Sequence, residues 1–381
     1  MAVRFISSNI ISALGFSTKE NHQNLLKASI GITSIENPIL YPTPFMASMV
    51  NDHALNQKFA ELEDEKIQVT RLEKMMILSI KSALSGIDVD ITSPRTLIIV
   101  STTKGNIDLL SPQTNIDPER VLLWKMADFI GRYFNNPNPV RVISNACISG
   151  VLAINTAAMI LQSNSFDHAI VVGGDLVTRF VVSGFMSFMS LSPKPCKPFD
   201  ENREGLSLGE AAGTVILERT STPNSGDILY KGGASANDAN HISGPSRTGE
   251  GSFIAIQNAI KEAGLPANEI DHINAHGTAT RYNDDMESIA IQRSGLQHAP
   301  VNSFKGSWGH TLGAAGIIET AALIESMKKN TVLPTSGFEI PGTTEHLEVS
   351  KKSVSTPLKT CLKLASGFGG CNAALIIQKS K

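Results

Sequence analysis

The chain alternates short, solidly apolar runs with longer helical patterns, and this alternation restricts its fold more than any other feature. Six runs read as strands: Arg95–Ser101 (RTLIIVS), Val140–Ile143, His168–Val172 (HAIVV), Ala212–Leu217, His272–Ala275 and Ala373–Ile377. Ile67–Leu84, Pro118–Phe134 and Ile148–Gln162 read as helices. A strand that is apolar throughout has no face to give to water and must be covered on both sides. Such strands, separated by helices, define an α/β protein whose sheets lie between helical layers. With 381 residues, 41% of them hydrophobic, the chain can build one large domain or two fused ones.

A polar break containing Pro and Gly, Glu218–Tyr230 (ERTSTPNSGDILY), lies past the middle of the chain and suggests two parts, 1–225 and 226–381. The parts echo each other. RVISNACISGVLAINTAAMIL passes from strand through small residues into an Ala-rich helix, and so does PVNSFKGSWGHTLGAAGIIETAALIESM. Two similar halves of this kind would bring their helix N-termini together at one site.

The charge balance, 33 basic against 35 acidic residues, provides no global field for nucleic acid or an anionic membrane. Four separated cysteines form no CxxC pair, which argues against a zinc site or a disulfide framework and fits a reducing compartment. The N-terminal stretch MAVRFISSNIISALGF is a poor signal peptide, and no segment approaches the ~20 apolar residues of a membrane span. The expectation is a cytoplasmic protein.

Four stretches could carry chemistry. In SNACISG, Cys147 sits where a strand hands over to a helix. Unpaired backbone N–H groups and the helix dipole would lower a thiol's pKa there, as a nucleophile requires. Buried packing is the commoner fate of a lone cysteine, and this stretch alone leaves both readings open. In INAHGTATRYNDDMES, His276 precedes a glycine at the C-terminal end of a strand, where α/β sheets bind ligands. Thr278 and Thr280 alternate, so their hydroxyls could share a side. His272, His298 and His346 lack such a setting and read as structural.

In NSFKGSWGHTLGAAGIIE, Lys305 and His310 flank a glycine-rich turn opening a helix with small residues on its first face. A lysine and a histidine there can help place a developing negative charge, and Glu319 could turn inward to hold Lys305. A surface amine and a solvated carboxylate are the plainer alternatives. In ASGFGGCNAALII, three glycines surround Phe368 before a strand. Such a loop can offer a backbone N–H to an oxyanion and let a ring swing. Its G-x-G-G precedes a strand, whereas a dinucleotide fingerprint follows one. Cys371 reads as packing.

Together these stretches resemble the β-ketoacyl-[acyl-carrier-protein] synthases of the elongating, Cys-His-His type, nearly end to end. Pro198–Gly213 (PFDENREGLSLGEAAG) and Ser235–Gly251 (SANDANHISGPSRTGEG) extend the likeness. The resemblance implies the thiolase fold, with two related α/β halves in a five-layered α-β-α-β-α arrangement. It implies that Cys147 takes the acyl chain from an acyl-carrier protein and that malonyl-carrier protein then loses CO₂. His276 and His310 would stabilise the resulting enolate, and the backbone N–H groups of Cys147 and Phe368 would form an oxyanion hole. Lys305, held by Glu319, would order the second histidine. Thr278 and Thr280 would bind the pantetheine arm, and Phe368 would be a gating ring. No metal or resident cofactor is implied, because the phosphopantetheine arrives on the carrier protein. The implied assembly is a homodimer or a heterodimer with a related subunit.

The chain departs from this pattern in three places. The connection from GFMSFMSLS to KPFD is short, LASGFGGCN carries Ala365 and Cys371, and STTKGNIDLL replaces a glycine-rich turn. These bear on the acyl chain accepted, in fatty-acid or specialised polyketide or aryl-polyene-type elongation. A thiolase would need a second cysteine before the glycines, an initiating synthase an Asn in place of His310, and a chain-length factor would usually lack Cys147.

Overall fold

The computed structural model describes residues 1–62, 68–110, 116–238 and 244–381. The first residue expected in helix Ile67–Leu84 and part of the motif Ser235–Gly251 lie outside these residues.

Ten strands form the central framework. They are Ala2–Ile11 (β1), Thr96–Ser101 (β2), Arg141–Ile143 (β3), His168–Asp175 (β4), Ala211–Thr220 (β5), Ile228–Asn237 (β6), His272–Asn274 (β7), Val301–Asn302 (β8), Thr360–Gly367 (β9) and Cys371–Lys379 (β10). The first five run in the order β1-β5-β4-β2-β3 and the second five in the order β6-β10-β9-β7-β8. Each set has the same pattern. Its first strand pairs antiparallel with its last, the last antiparallel with its fourth, and the inner connections are parallel. The sets join edge to edge where Val3–Phe5 pairs antiparallel with Ile228–Tyr230. The faint echo between the halves is thus a full topological repeat.

Seven helices matter for the layers and the site: Arg71–Leu84 (α1), Leu123–Tyr133 (α2), Ser149–Gln162 (α3), Arg179–Ser187 (α4), Glu250–Ala263 (α5), Arg281–Arg293 (α6) and Ala315–Lys329 (α7). Helices α1 and α2 cover the outer face of the first sheet, and α5, with α6 against it, covers the outer face of the second. Helices α3 and α7 lie between the sheets and touch both. This is the expected five-layered arrangement.

The solid apolarity of the strands follows from this layering. Along β4, Ala169 and Val171 face the central core while Ile170 and Val172 face the outer one. Along β10, Leu375 and Ile377 point to the centre, and Ala374 and Ile376 to the opposite outer core. Period-two alternation therefore divides each strand between two dry interfaces.

Some boundaries differ from the sequence expectation. The helix expected over Pro118–Phe134 is a 3₁₀ turn, Pro118–Val121, followed by α2, because Leu122 between them is extended (φ −69°, ψ 123°). Helix α1 begins at Arg71 because Thr70 and Glu73 form a capping box. Strands β5 and β6 both run into the polar segment Glu218–Tyr230 and leave a short connection.

The small residues of the two central helices set their separation. A Cβ built on Gly316 of α7 would lie 2.4 Å from the Val151 backbone nitrogen and 2.7 Å from the Gly150 carbonyl carbon of α3. Backbone cannot yield as a side-chain tip does, so Gly316→Ala should destabilise the protein by about 1–3 kcal/mol. The denaturant midpoint of the variant measures this. An unchanged midpoint would show that the helices can separate freely.

Candidate active site

Cys147 lies at the handover from β3 to α3, as its sequence context suggests. Ala146 adopts a left-handed backbone (φ 43°), which turns the chain sharply. The Ser149 hydroxyl donates to the Ala146 carbonyl at 2.6 Å and accepts from the Asn145 N–H at 2.7 Å, closing the turn. The thiol is buried, 7% exposed, at the wall of a cavity of about 830 Å³.

His276 follows β7 on a loop held from below by α6. The Glu287 carboxylate accepts the His276 N–H at 2.7 Å and the Gly277 N–H at 2.6 Å. Asp284, one turn earlier, accepts the Thr278 N–H at 3.0 Å. The Thr278 and Thr280 hydroxyls lie 2.9 Å apart, and both residues line the cavity, as their alternation suggests. Asp284 and Glu287 escaped the sequence reading. The signal was their three-residue spacing on one helical face immediately after the His-Gly loop.

His310 comes from the corresponding position of the second half, between β8 and α7. Its backbone N–H donates to the Ser207 carbonyl at 2.7 Å. Its Nδ1 accepts the Leu312 N–H at 3.2 Å, which assigns the proton of the neutral ring to Nε2. Asp175, at the end of β4, ties this loop to the first half. It accepts from the Thr102 hydroxyl and from the N–H groups of Thr103, Lys104 and Gly313, at 2.7–3.1 Å. The substituted STTKGNIDLL turn is thereby anchored to the histidine loop.

The three chemical groups converge. Ligand atoms of Cys147, His276 and His310 all lie within 4.8 Å of one another, and the imidazoles meet edge to face with centroids 5.1 Å apart. Beneath them Lys305 donates to Glu319 Oε1 at 2.7 Å, the pairing foreseen in the sequence. A second lysine was not foreseen. Lys363, fully buried on β9, lies 2.6 Å from Glu319 Oε2. Its signal was a single charge inside the apolar run TCLKLASGF.

Two lysines share the Glu319 carboxylate under the imidazoles, and the buried Glu287 carboxylate of α6 acts on both. Burial, then Lys305, His310 and Lys363, hold His276 well below its ordinary value. Burial and the two lysines do the same to His310. Burial pushes Glu319 up, but the lysines outweigh it and keep the carboxyl below its ordinary value. Burial lowers Lys363 to about 8 against the pull of Glu319. The site therefore presents neutral N–H donors with two ammonium groups beneath them, which suits an anionic oxygen better than a cation.

Cys147 departs from expectation in one respect. A helix start should lower a thiol's pKa, yet burial pushes it up to about 12, with Cys371 adding to the rise and Lys305 opposing it. Position favours the thiolate, but removal from water costs more.

The glycine loop closes the site. A Cβ on Gly367 would lie 3.0 Å from the Cys147 backbone nitrogen, so the loop passes directly over that N–H. The Phe368 ring stacks on Phe185 of α4, with centroids 5.4 Å apart, and tilts against Phe188 at 5.1 Å. Phe188 and the 91%-exposed Met189, just after α4, line the cavity. Cys371 is a packing residue whose thiol donates to the Phe368 carbonyl. His272 is buried, with Nδ1 2.8 Å from the Pro300 carbonyl oxygen, and burial lowers it to about 4, in keeping with a structural role.

A buried thiol facing two neutral imidazoles, where two homologous helix starts converge, defines an enzyme that handles acyl thioesters. The chain belongs to the β-ketoacyl synthase family. The N-terminal domain model of that family matches residues 11–222 and the C-terminal domain model residues 229–339. The fold is the thiolase fold of these acyltransferases. A chain from the complex of the ketosynthase ApeO with its chain length factor ApeC, from Xenorhabdus doucetiae, superposes with a TM-score of 0.85. The two are 26% identical, over 100% of this chain and 98% of that one. A β-ketoacyl synthase from Burkholderia phymatum gives a TM-score of 0.88 at 22% identity, covering both chains completely, and shares the fold. The 3-oxoacyl-[acyl-carrier-protein] synthase 2 of Coxiella burnetii is 31% identical over 252 residues, 62% of this chain and 61% of that protein. The malonyl-ACP decarboxylase PksF of Bacillus subtilis is 32% identical over 62% of this chain and 60% of its own length.

Proposed function

We infer that the protein is a β-ketoacyl-[acyl-carrier-protein] synthase that lengthens an acyl chain by decarboxylative condensation. The observation that carries this reading is the meeting of the Cys147 thiol with His276 and His310 at one covered cavity. In the first step the Cys147 sulfur bonds to the acyl carbonyl carbon as the bond to the pantetheine sulfur breaks. The thiol proton passes to the departing sulfur, so no free thiolate accumulates. This balance suits a thiol whose burial disfavours charge. The N–H groups of Cys147 and Phe368 receive the carbonyl oxygen while it carries negative charge.

In the second step the malonyl thioester loses CO₂, and its enolate oxygen accepts N–H bonds from His276 and His310. The enolate carbon bonds to the acyl carbonyl carbon, the bond to Cys147 breaks, and the departing thiolate takes a proton from water. Lys305 and Glu319 order the second histidine, Thr278 and Thr280 hold the pantetheine arm, and movement of the Phe368 ring off Phe185 admits the acyl chain. The reaction needs no metal or resident cofactor.

The partners in this reading are an acyl-carrier protein and a second synthase subunit, identical or related. The likeness to the ApeO–ApeC complex supports the related subunit. The four free cysteines fit a cytoplasmic location, and among the described residues no helix is long and apolar enough to cross a membrane. Intact-mass spectrometry after incubation with a series of acyl-carrier proteins tests the first step. A covalent acyl adduct on the wild type that Cys147→Ala lacks is the expected result. A series with no adduct, with or without a second subunit, would overturn the reading.

A further inference from the structure

Lys363 occupies a position where a β-strand in a dry core would ordinarily carry an apolar side chain. Its neighbours Leu362 and Leu364 on β9 are buried in the outer core of the second half, and Lys363 is fully buried between them in sequence. All three of its ammonium protons have an acceptor within reach. Glu319 Oε2 lies at 2.6 Å, the Leu364 carbonyl at 2.7 Å, and the Ala275 carbonyl, one residue before His276, at 3.5 Å. The other oxygen of Glu319 belongs to Lys305. One carboxylate is thus clamped between two ammonium groups, and one of these also reaches the backbone that carries the first histidine.

A buried cation in excess of its counter-charge is unfavourable for folding and is balanced only by good hydrogen bonding. Lys305 alone would neutralise Glu319. Lys363 adds a second ammonium to the floor of the site, with the buried Glu287 carboxylate acting on both lysines, and the reaction inferred above places an anionic enolate oxygen above that floor. We propose that Lys363 is a positioning residue of the condensing site, fixing Glu319 and the Ala275–His276 backbone and adding an ammonium charge beneath both imidazoles. The inference deepens the reading of the site as a condensing centre and rests on it for its catalytic meaning.

The other charged and titratable groups around the imidazoles are accounted for. Glu287 is engaged by the His276 and Gly277 N–H groups, Asp284 by the N–H groups of Thr278 and Phe199, with Arg203 3.8 Å away, and Asp175 by the His310 loop and the 102–104 turn. Cys147 is uncharged at rest, and Lys104 acts on it from the same turn. Removing the Lys363 charge while leaving these in place lowers the positive potential at both rings. Less positive potential makes protonation easier, so the histidine pKa values rise and the acid limb of activity moves to higher pH.

The test is a titration of the histidine Cε1–H NMR signals in wild type, Lys363→Met and Lys363→Arg, with His276 and His310 assigned through single substitutions. In the wild type both signals keep the neutral form well below the pH at which an ordinary histidine titrates. In Lys363→Met they titrate at a pH higher by roughly one unit or more, and Lys363→Arg, which keeps the charge, returns them towards wild type. The acid limb of malonyl-carrier-protein decarboxylation should shift with them, with kcat falling about tenfold and KM for the carrier protein changing less than twofold. Histidine titrations identical in wild type and Lys363→Met would overturn the inference. If Lys363→Met does not fold, Lys363→Gln, which keeps a hydrogen-bonding end without charge, gives the same comparison. If the titrations shift but the wild type does not decarboxylate malonyl-carrier protein, the positioning of the imidazoles stands and the functional reading falls.

Discussion

Cys147→Ala should remove acylation and condensation together while leaving malonyl decarboxylation in place. A covalent intermediate has no substitute once its nucleophile is gone, so condensation should fall by at least about 10⁴-fold. The other cysteines cannot stand in. The Cys196 thiol is turned to the Lys305 carbonyl, the Cys371 thiol to the Phe368 carbonyl, and Cys361 is buried on β9. In the proposed mechanism decarboxylation depends on the groups facing the enolate oxygen, and Cys147→Ala keeps both imidazoles and the clamped carboxylate. Release of CO₂ from malonyl-carrier protein should stay within roughly tenfold of wild type, since no oxyanion donor is lost. Product analysis by mass spectrometry beside a CO₂ assay separates the two activities. Their parallel loss would show that the thiol is needed for more than holding the acyl chain.

His276→Ala and His310→Ala should show the opposite division. Each removes one N–H donor from a buried site, a change of about 10²–10³-fold for donors of this kind. Decarboxylation and condensation should fall by that factor, while acylation of Cys147, which uses backbone donors, falls much less. The Leu312 N–H on Nδ1 fixes Nε2 of His310 as the donor, so His310→Gln should retain more decarboxylation than His310→Ala. The double variant should lose less than the product of the single effects, because in the proposed mechanism the rings serve one oxygen. Time courses of acyl-adduct mass and CO₂ release on the same samples supply both measurements. Equal loss of both steps in the single variants would mean that the histidines act mainly on the thiol.

Much of this site was legible in the sequence because its parts sit at positions of fixed local geometry. A small-residue turn between an apolar strand and an Ala-rich helix can place Cys147 in few ways, and the alternation of Thr278 and Thr280 puts both hydroxyls on one side. The solid apolarity of β2 and β4 announced sheets covered on both faces, and the layered cores bear this out. What stayed hidden depends on contacts between distant segments. Lys363 lies 44 residues after Glu319 in sequence yet shares its carboxylate. In a one-dimensional reading, a lysine in an apolar run looks like an edge-strand residue. The Cys147 pKa went the other way from expectation because the helix start is visible in sequence and the desolvation is not. Glu287 and Asp284 stayed hidden because the loop N–H groups they accept from meet them only in the folded chain. The junction of the two sheets through Val3–Phe5 and Ile228–Tyr230 left no local mark.

The central claim is that a thiol-bound acyl chain is extended at the expense of malonyl CO₂. The most direct measurement gives the acylated wild-type protein ¹³C-labelled malonyl-carrier protein and follows carrier-bound product and released CO₂ together by mass spectrometry. A β-ketoacyl-carrier protein two carbons longer than the loaded chain, formed with one CO₂ and with loss of the adduct from Cys147, is the predicted result. Hydrolysis of the adduct with no extended product, or extension from an acetyl donor with no CO₂ released, would contradict it.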